Sequence, residues 1–316
     1  MTRPSPFWTQ RRVLITGVTG FVGQCLTLRL IEAGAEVWAG VYPGEPPERV
    51  AALPGQAHRL NFDLRDAGAV QAAVAESMPQ VVFHLAAVGV TDPGVDAVLA
   101  LAVNVGGTLC LLEALRGLAV RRVVLAGTCY EYGAREAAEG LDPLNVYAAS
   151  KVAAWAFGRM YWRVYGMPTI TVRPFQIYGP GQPAPTLIPA AVRAALAGED
   201  FPMTPGEQER DFIYVDDVVE GMRVAAEAPG VEGQSLDLGT GQAHTVRQVV
   251  EQIWEHVGQV ANLPKGRILP GALPYRPAEV MHLVADADRT AALIGWRARI
   301  GLEEGLCRVI EWSKGR

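Results

Sequence analysis

Apolar and polar positions along the chain follow two alternating patterns. Short runs that are apolar on both faces (RRVLITG, EVWAGV, QVVFHLAA, RRVVLAG, PTITVRPF) are separated by longer runs in which apolar residues recur every three or four positions. The longer runs include FVGQCLTLRLIEAG, AGAVQAAVAESMP, VDAVLALAVNVGGTLCLLEALRGL and NVYAASKVAAWAFGRMYWRVYG. The first pattern predicts strands buried between two layers, and the second predicts the helices that cover them. Strand–helix alternation with right-handed crossovers predicts an α/β fold built on a doubly wound parallel sheet. Beyond Gly179 the pattern loosens: proline and glycine become frequent in YGPGQPAP, PMTPGEQ and LPGALPYRPAE, and helices such as TVRQVVEQIWEHVG mix with short strands. We expect a main domain over 9–180, rejoined by segments near 212–240, and a smaller C-terminal α/β region over 181–316.

Composition narrows the function. Half of the 316 residues are apolar, enough for a large core, and the formal charge of −5 argues against nucleic-acid or membrane-surface binding, which both need a basic face. No uninterrupted apolar run of about 18 residues is present, so no membrane span is expected. The start, MTRPSPFWTQRR, lacks the apolar stretch of a signal peptide. Cys25, Cys110, Cys129 and Cys307 have no CxxC spacing and read as reduced thiols of a cytoplasmic protein. The five histidines form no HxxxH or HxH pair, and no metal site is expected.

Candidate chemistry begins at TGVTGFVG, Thr16 to Gly23, between the first strand and the first helix. Gly17 permits the tight turn, Gly20 lets a phosphate approach the backbone, and Gly23 lets the helix pack close to the strand. Free N–H groups at such a helix start suit a pyrophosphate, which makes Gly17, Thr19, Gly20, Phe21, Val22 and Gly23 the candidate dinucleotide cradle of a Rossmann sheet.

The GxxGxxG spacing resembles that of the short-chain dehydrogenase/reductase superfamily. NFDLRD is similar to its adenine-side motif, which implies that Asp63, followed by Leu64, accepts from the adenine amino group. HLAA implies that Leu85, Ala86 and Ala87 lie along the cofactor. YAASK places Tyr147 and Lys151 four apart on one helix face, after a strand that ends in Thr128. Asn104 resembles the helix asparagine that positions a water behind the lysine. RPFQIYGPG, RDFIYVDDV and YRPAEVMHLVADADRTAALIGW narrow the resemblance to the NAD-dependent epimerase/dehydratase branch, whose members modify nucleotide sugars. The resemblance implies Thr128, Tyr147, Lys151 and Asn104 as the catalytic set, with Lys151 and Tyr147 also against the cofactor. It implies Arg210 and Arg276 at the nucleotide diphosphate, and Gln176 where relatives have asparagine. Tyr130 is a candidate for lining the sugar pocket.

Two departures shape the expected reaction. In the sugar 4,6-dehydratases the catalytic Ser/Thr is followed by an acid or hydroxyl residue and then by glutamate. Here Thr128 is followed by Cys129 and Tyr130, and Glu131 comes one position later; in an extended segment that shift would turn it to the opposite face. The second strand, EVWAGV, carries no acid for the adenosine ribose: the expected place falls near Val41, followed by Tyr42 and Pro43. Arg49, or an arginine folded in from elsewhere, could bind a 2′-phosphate there, so NADP is favoured over NAD. The leading expectation is therefore a cytoplasmic oxidoreductase that reduces a 4-keto-6-deoxy sugar nucleotide. Its rivals are a 4-epimerase that retains NAD and a non-catalytic dinucleotide sensor. A homodimer through a four-helix bundle is expected, from the apolar surface of the helix bearing Trp155, Phe157, Met160, Tyr161 and Trp162.

Overall fold

The computed structural model describes residues 6–92, 94–134, 140–260 and 266–315. In chain order its first half contains β1 (Arg12–Thr16), α1 (Phe21–Glu32), β2 (Glu36–Val41), α2 (Pro47–Ala51), β3 (His58–Asn61), α3 (Ala67–Ser77) and β4 (Val81–His84). Next come α4 (Ala97–Ala100), a π-helical turn (Leu101–Gly106), α5 (Gly107–Leu115), β5 (Arg122–Ala126), a 3-10 turn (Cys129–Tyr132), α6 (Val146–Tyr165) and β6 (Thr169–Pro174). The remainder contains β7 (Gln176–Tyr178), α7 (Leu187–Ala197), β8 (Phe201–Met203), β9 (Glu209–Arg210), β10 (Phe212–Tyr214), α8 (Val215–Glu227) and β11 (Ser235–Leu238). The chain ends with β12 (His244–Thr245), α9 (Val246–Val260), β13 (Ile268–Pro270), β14 (His282–Leu283), α10 (Ala287–Ile294) and α11 (Leu302–Lys314).

Seven strands form the expected parallel sheet, in the order β3-β2-β1-β4-β5-β6-β11. The period of two decides which side chains meet which layer. Val13, Ile15, Val81, Phe83 and Val124 enter one core, beneath α1 and α8; Leu14, Val82, Val123 and Leu125 enter the other, with residues of α3, α5 and α6. Strand order reverses between β1 and β4, and the crevice at the carboxyl ends of these two strands is where such sheets bind ligands. The late strand β11 extends the sheet beyond β6. The short strand pairs β7–β10 and β8–β13, together with the β12-β9-β14 ribbon, stand apart from it.

Two local details differ from the sequence reading. The apolar run around Asn104 is one continuous helical path broken by a π-turn, and Ala97–Leu115 is long and apolar enough, by length and composition, to cross a membrane. Here its apolar residues have a packing role: Leu111, Leu112 and Leu115 are fully buried among the residues of α3 and the sheet. The second detail is GTCYEYG, which is not extended after Thr128. Cys129–Tyr132 is a 3-10 turn with Thr128 as its N-cap. A 3-10 turn places residue i+3 over residue i, so Glu131 folds back onto Thr128, and its direction is not set by strand alternation.

Candidate active site

The glycines after β1 form the floor of the crevice. Gly17 has φ +72, and a side-chain carbon there would lie 2.6 Å from the backbone N of Ala86. At Gly23 such a carbon would overlap the carbonyl of Gly17. Gly20 is the N-cap of α1 with no side-chain cap, so the N–H groups of Phe21, Val22 and Gly23 have no partner within the helix and are free for an anion. Thr19 is buried beside them, its carbonyl taken by Gln24. Across the crevice, Leu85 N donates to Thr16 O, and Ala86 and Ala87 continue the backbone past the end of β4. This cradle, which side chains would fill, fits a dinucleotide pyrophosphate.

Thr128, Tyr147 and Lys151 meet at the end of β5. Gly158 has no side chain to hold α6 away from Leu125 of β5, and Asn145 caps the helix by accepting from Ala148 N at 2.8 Å. Tyr147 stands beside Thr128, and Lys151 Nζ lies 5.8 Å from the Tyr147 ring centroid and donates to Ala126 O at 2.9 Å. Desolvation dominates both titrations: it holds the Tyr147 phenol above its usual range, and it pushes the Lys151 ammonium down to about 8 against the opposing pull of Glu131. The protein alone therefore does not lower the Tyr147 pKa.

Asn104 lies in the π-turn, and its amide is fully committed. It accepts from Val88 N at 2.9 Å and donates to Val88 O at 3.0 Å and to Ser150 Oγ at 2.9 Å. Its amide bonds hold the loop after β4 and the start of α6 together. Behind Lys151 lies His84, which the sequence reading did not assign. Thr108 donates to Asn104 O, so its oxygen accepts from His84 Nε2–H, which leaves Nδ1 to accept from Thr16. Burial, with Lys151 adding to it, pushes His84 down to about 3, so it is neutral.

At the adenosine end, Asp63 is held by Arg65, whose guanidinium donates to both carboxylate oxygens. Leu64 packs under Gly107, where a side chain would collide with it. Val41 is buried in the core, while Tyr42 is exposed and lies near Arg65. Arg49 forms a surface ion pair with Glu45. The arginine folded in beside the end of β2 is therefore Arg65, which the sequence reading took for part of a motif.

On the substrate side, Gln176 Nε2 donates to the Tyr130 hydroxyl at 3.0 Å and lies 3.9 Å from Cys129 Sγ. Burial pushes the Cys129 thiol up to about 12, which makes it a packed thiol. Arg210 is buried, its charge acts on Cys129 and Tyr130, and it pairs with Glu279 at 2.6 Å. Sequence reasoning missed Glu279, although it follows Arg276 by three residues and donates its N–H to the Arg276 carbonyl. Arg276 is exposed, in the loop before β14. His282 is a surface residue bonded to Glu209, and Ile188 points into the core.

A parallel sheet with a glycine cradle at its switch point, and a threonine, tyrosine and lysine gathered beside it, defines a dinucleotide-binding protein of the short-chain dehydrogenase/reductase type. The sequence profile of the NAD dependent epimerase/dehydratase family matches residues 13–239, and the chain belongs to that family. It is 31% identical to a UDP-glucose 4-epimerase of Mycolicibacterium smegmatis, over 96% of this chain and 99% of that one. It is 28% identical to a dTDP-glucose 4,6-dehydratase of Xanthomonas campestris pv. campestris, over 95% and 92% of the two chains. The crystal structure of a Thermus thermophilus UDP-glucose 4-epimerase in complex with NAD superposes with a TM-score of 0.82 at 29% identity, covering 96% of this chain and 99% of that one.

Proposed function

We propose that the protein reduces the 4-keto group of a nucleotide-activated 4-keto-6-deoxy sugar, with NADPH as cosubstrate. The observation that carries this reading is the commitment of Glu131: its carboxylate accepts from Thr128 N at 2.9 Å and from Arg173 Nε at 2.7 Å. That leaves Tyr147, beside Thr128 and Lys151, to handle the proton, without the free acid that a 4,6-dehydration would require. The nicotinamide, when bound, supplies the hydride. Tyr147 gives its proton to the 4-keto oxygen as the carbon is reduced, Thr128 holds that oxygen in line, and the Lys151 ammonium stabilises the phenolate that remains. Asn104 keeps the loop and helix that carry these groups in register. Arg210 and Arg276 hold the diphosphate, with Glu279 released from Arg210 as the phosphate takes its place, and Tyr130 and Gln176 line the sugar.

NADPH is favoured because Tyr42 and Arg65 replace an acid at the end of β2, and a guanidinium suits a 2′-phosphate. We divide the chain into a cofactor domain over 9–180, joined by 212–240, and a substrate region over 181–316. Four free thiols fit work in a reducing cytoplasm. The test is a 4-keto-6-deoxyhexose nucleotide incubated with NADPH or NADH. Oxidation of NADPH with formation of the 6-deoxy sugar supports the reading, and no consumption of either cofactor rejects it. A second reading, 4-epimerisation with retained NAD, is favoured by the likeness to the NAD-bound Thermus thermophilus enzyme. It predicts near-stoichiometric NAD released from the freshly purified protein on denaturation, and UDP-glucose turnover without added cofactor.

A further inference from the structure

Beneath the turn that carries Thr128 lies an ion pair for which the reaction above has no use. Glu131 and Arg173 are 0% and 5% exposed in their side chains, with Arg173 Nε 2.7 Å from Glu131 Oε2. The other Glu131 oxygen accepts from Thr128 N, and Gly127 leaves room for it: a side-chain carbon at 127 would overlap that oxygen. Arg173 is fixed in turn by the Tyr132 hydroxyl at 3.3 Å, and its guanidinium lies over the rings of Tyr132 and Trp155, 5.2 and 5.5 Å from their centroids. Trp155 is on α6, one turn beyond Lys151. A buried pair of this kind contributes little to stability for its desolvation, so its position invites a functional account.

We propose that Glu131, paired with Arg173, is a positioning residue that locks the Thr128 backbone at the end of β5 and places a fixed negative charge behind Tyr147 and Lys151, setting the pH range in which the two work. The proposal rests on the reading of Tyr147 and Lys151 given above. Its electrostatic side is consistent across the neighbouring elements. Glu131 raises both the Tyr147 phenol and the Lys151 ammonium. The other titratable neighbours keep their charge near neutral pH: His84 on β4 is neutral, and Cys129, Tyr130 and Tyr132 of the turn are pushed up by burial. Asp237 on β11 is held by Tyr132 on the far side of Arg173, and Arg210 on β9 acts on Cys129 and Tyr130.

The chain has three lysines, Lys151, Lys265 and Lys314, so the Lys151 ammonium can be followed by NMR of the full-length protein labelled at lysine, with Lys151→Met identifying its signal. Glu131→Gln keeps an oxygen for Thr128 N but removes the charge, and should lower the Lys151 midpoint by about one pH unit. Glu131→Asp keeps the charge and should leave the midpoint in place while kcat falls. Arg173→Gln leaves the carboxylate uncompensated and should raise the midpoint, which decides the matter if the Glu131→Gln protein does not fold. In the pH profile of turnover, both limbs should move to lower pH in Glu131→Gln, because both groups lose the same negative neighbour. A Lys151 midpoint unchanged by Glu131→Gln or Arg173→Gln overturns the proposal, whatever happens to kcat. Normal turnover by Tyr147→Phe would instead overturn the functional reading, and the lysine titration would still report on Glu131.

Discussion

Tyr147 stands beside Thr128, and in the proposed reduction it is the group that handles the proton. Replacing Tyr147 with phenylalanine removes the proton donor and little packing volume. Turnover should fall by roughly 10²–10⁴-fold while NADP(H) binding, followed by fluorescence titration, is retained. Gly23→Ala works in the opposite sense: its new carbon meets the Gly17 carbonyl, so cofactor affinity should collapse without change to Thr128, Tyr147 or Lys151. His84 makes a stability prediction. Its folded pKa is depressed to about 3, so between that value and the unfolded value of about 6.5 the unfolded chain holds one more proton and stability falls as pH falls. Denaturant titrations from pH 7 down to 4 should show His84→Gln with a shallower loss, by up to about 1.4 kcal/mol per pH unit.

The elements that position these residues were legible to different degrees. The strand runs and the glycine loop were readable because periodicity and backbone conformation are local properties. The turn after Thr128 was not: TCYE reads as the continuation of a strand until the capping interaction between Thr128 and Glu131, whose carboxylate also pairs with Arg173 on the next strand, folds it back. The end of β2 is similar. Its missing acid could be read directly, but the arginine beside it had to be brought there by the pairing of β2 with β3. Arg65→Glu should therefore weaken NADPH relative to NADH by about tenfold or more in kcat/KM, since it would replace the proposed phosphate contact with a repulsion. An unaltered preference would place the 2′-phosphate elsewhere.

Across the molecule, α4 and the π-turn run alongside α6 and leave Val98, Leu101, Val164 and Tyr165 exposed at 73%, 59%, 63% and 47%. Apolar residues so open to water on a helical pair fit a face covered by a second copy, and we propose the four-helix bundle on these residues, since Tyr161, one of those from which it was expected, is buried within this chain. Val98→Asp together with Leu101→Asp should shift the protein from dimer to monomer in light scattering, and a dimer that survives both would remove this face as the interface. Trp8 pins the N-terminal segment to the other side of the sheet. It is fully buried, bonded to Glu227 and lies under Arg223, so Trp8→Ala should cost about 3–5 kcal/mol of stability in denaturant unfolding.

Residue order alone carried the doubly wound sheet, the dinucleotide cradle and the tyrosine–lysine pair, because each depends on spacing within one element or one turn. The tertiary structure decided where charges end up. It paired Arg210 with Glu279, set Arg65 against Asp63, committed Asn104 to Val88 and Ser150, and buried Glu131 beneath Thr128. A side chain's hydrogen-bonding and electrostatic partners come from whichever segments the packing brings within a few ångströms, and for these residues most of those segments are remote in sequence.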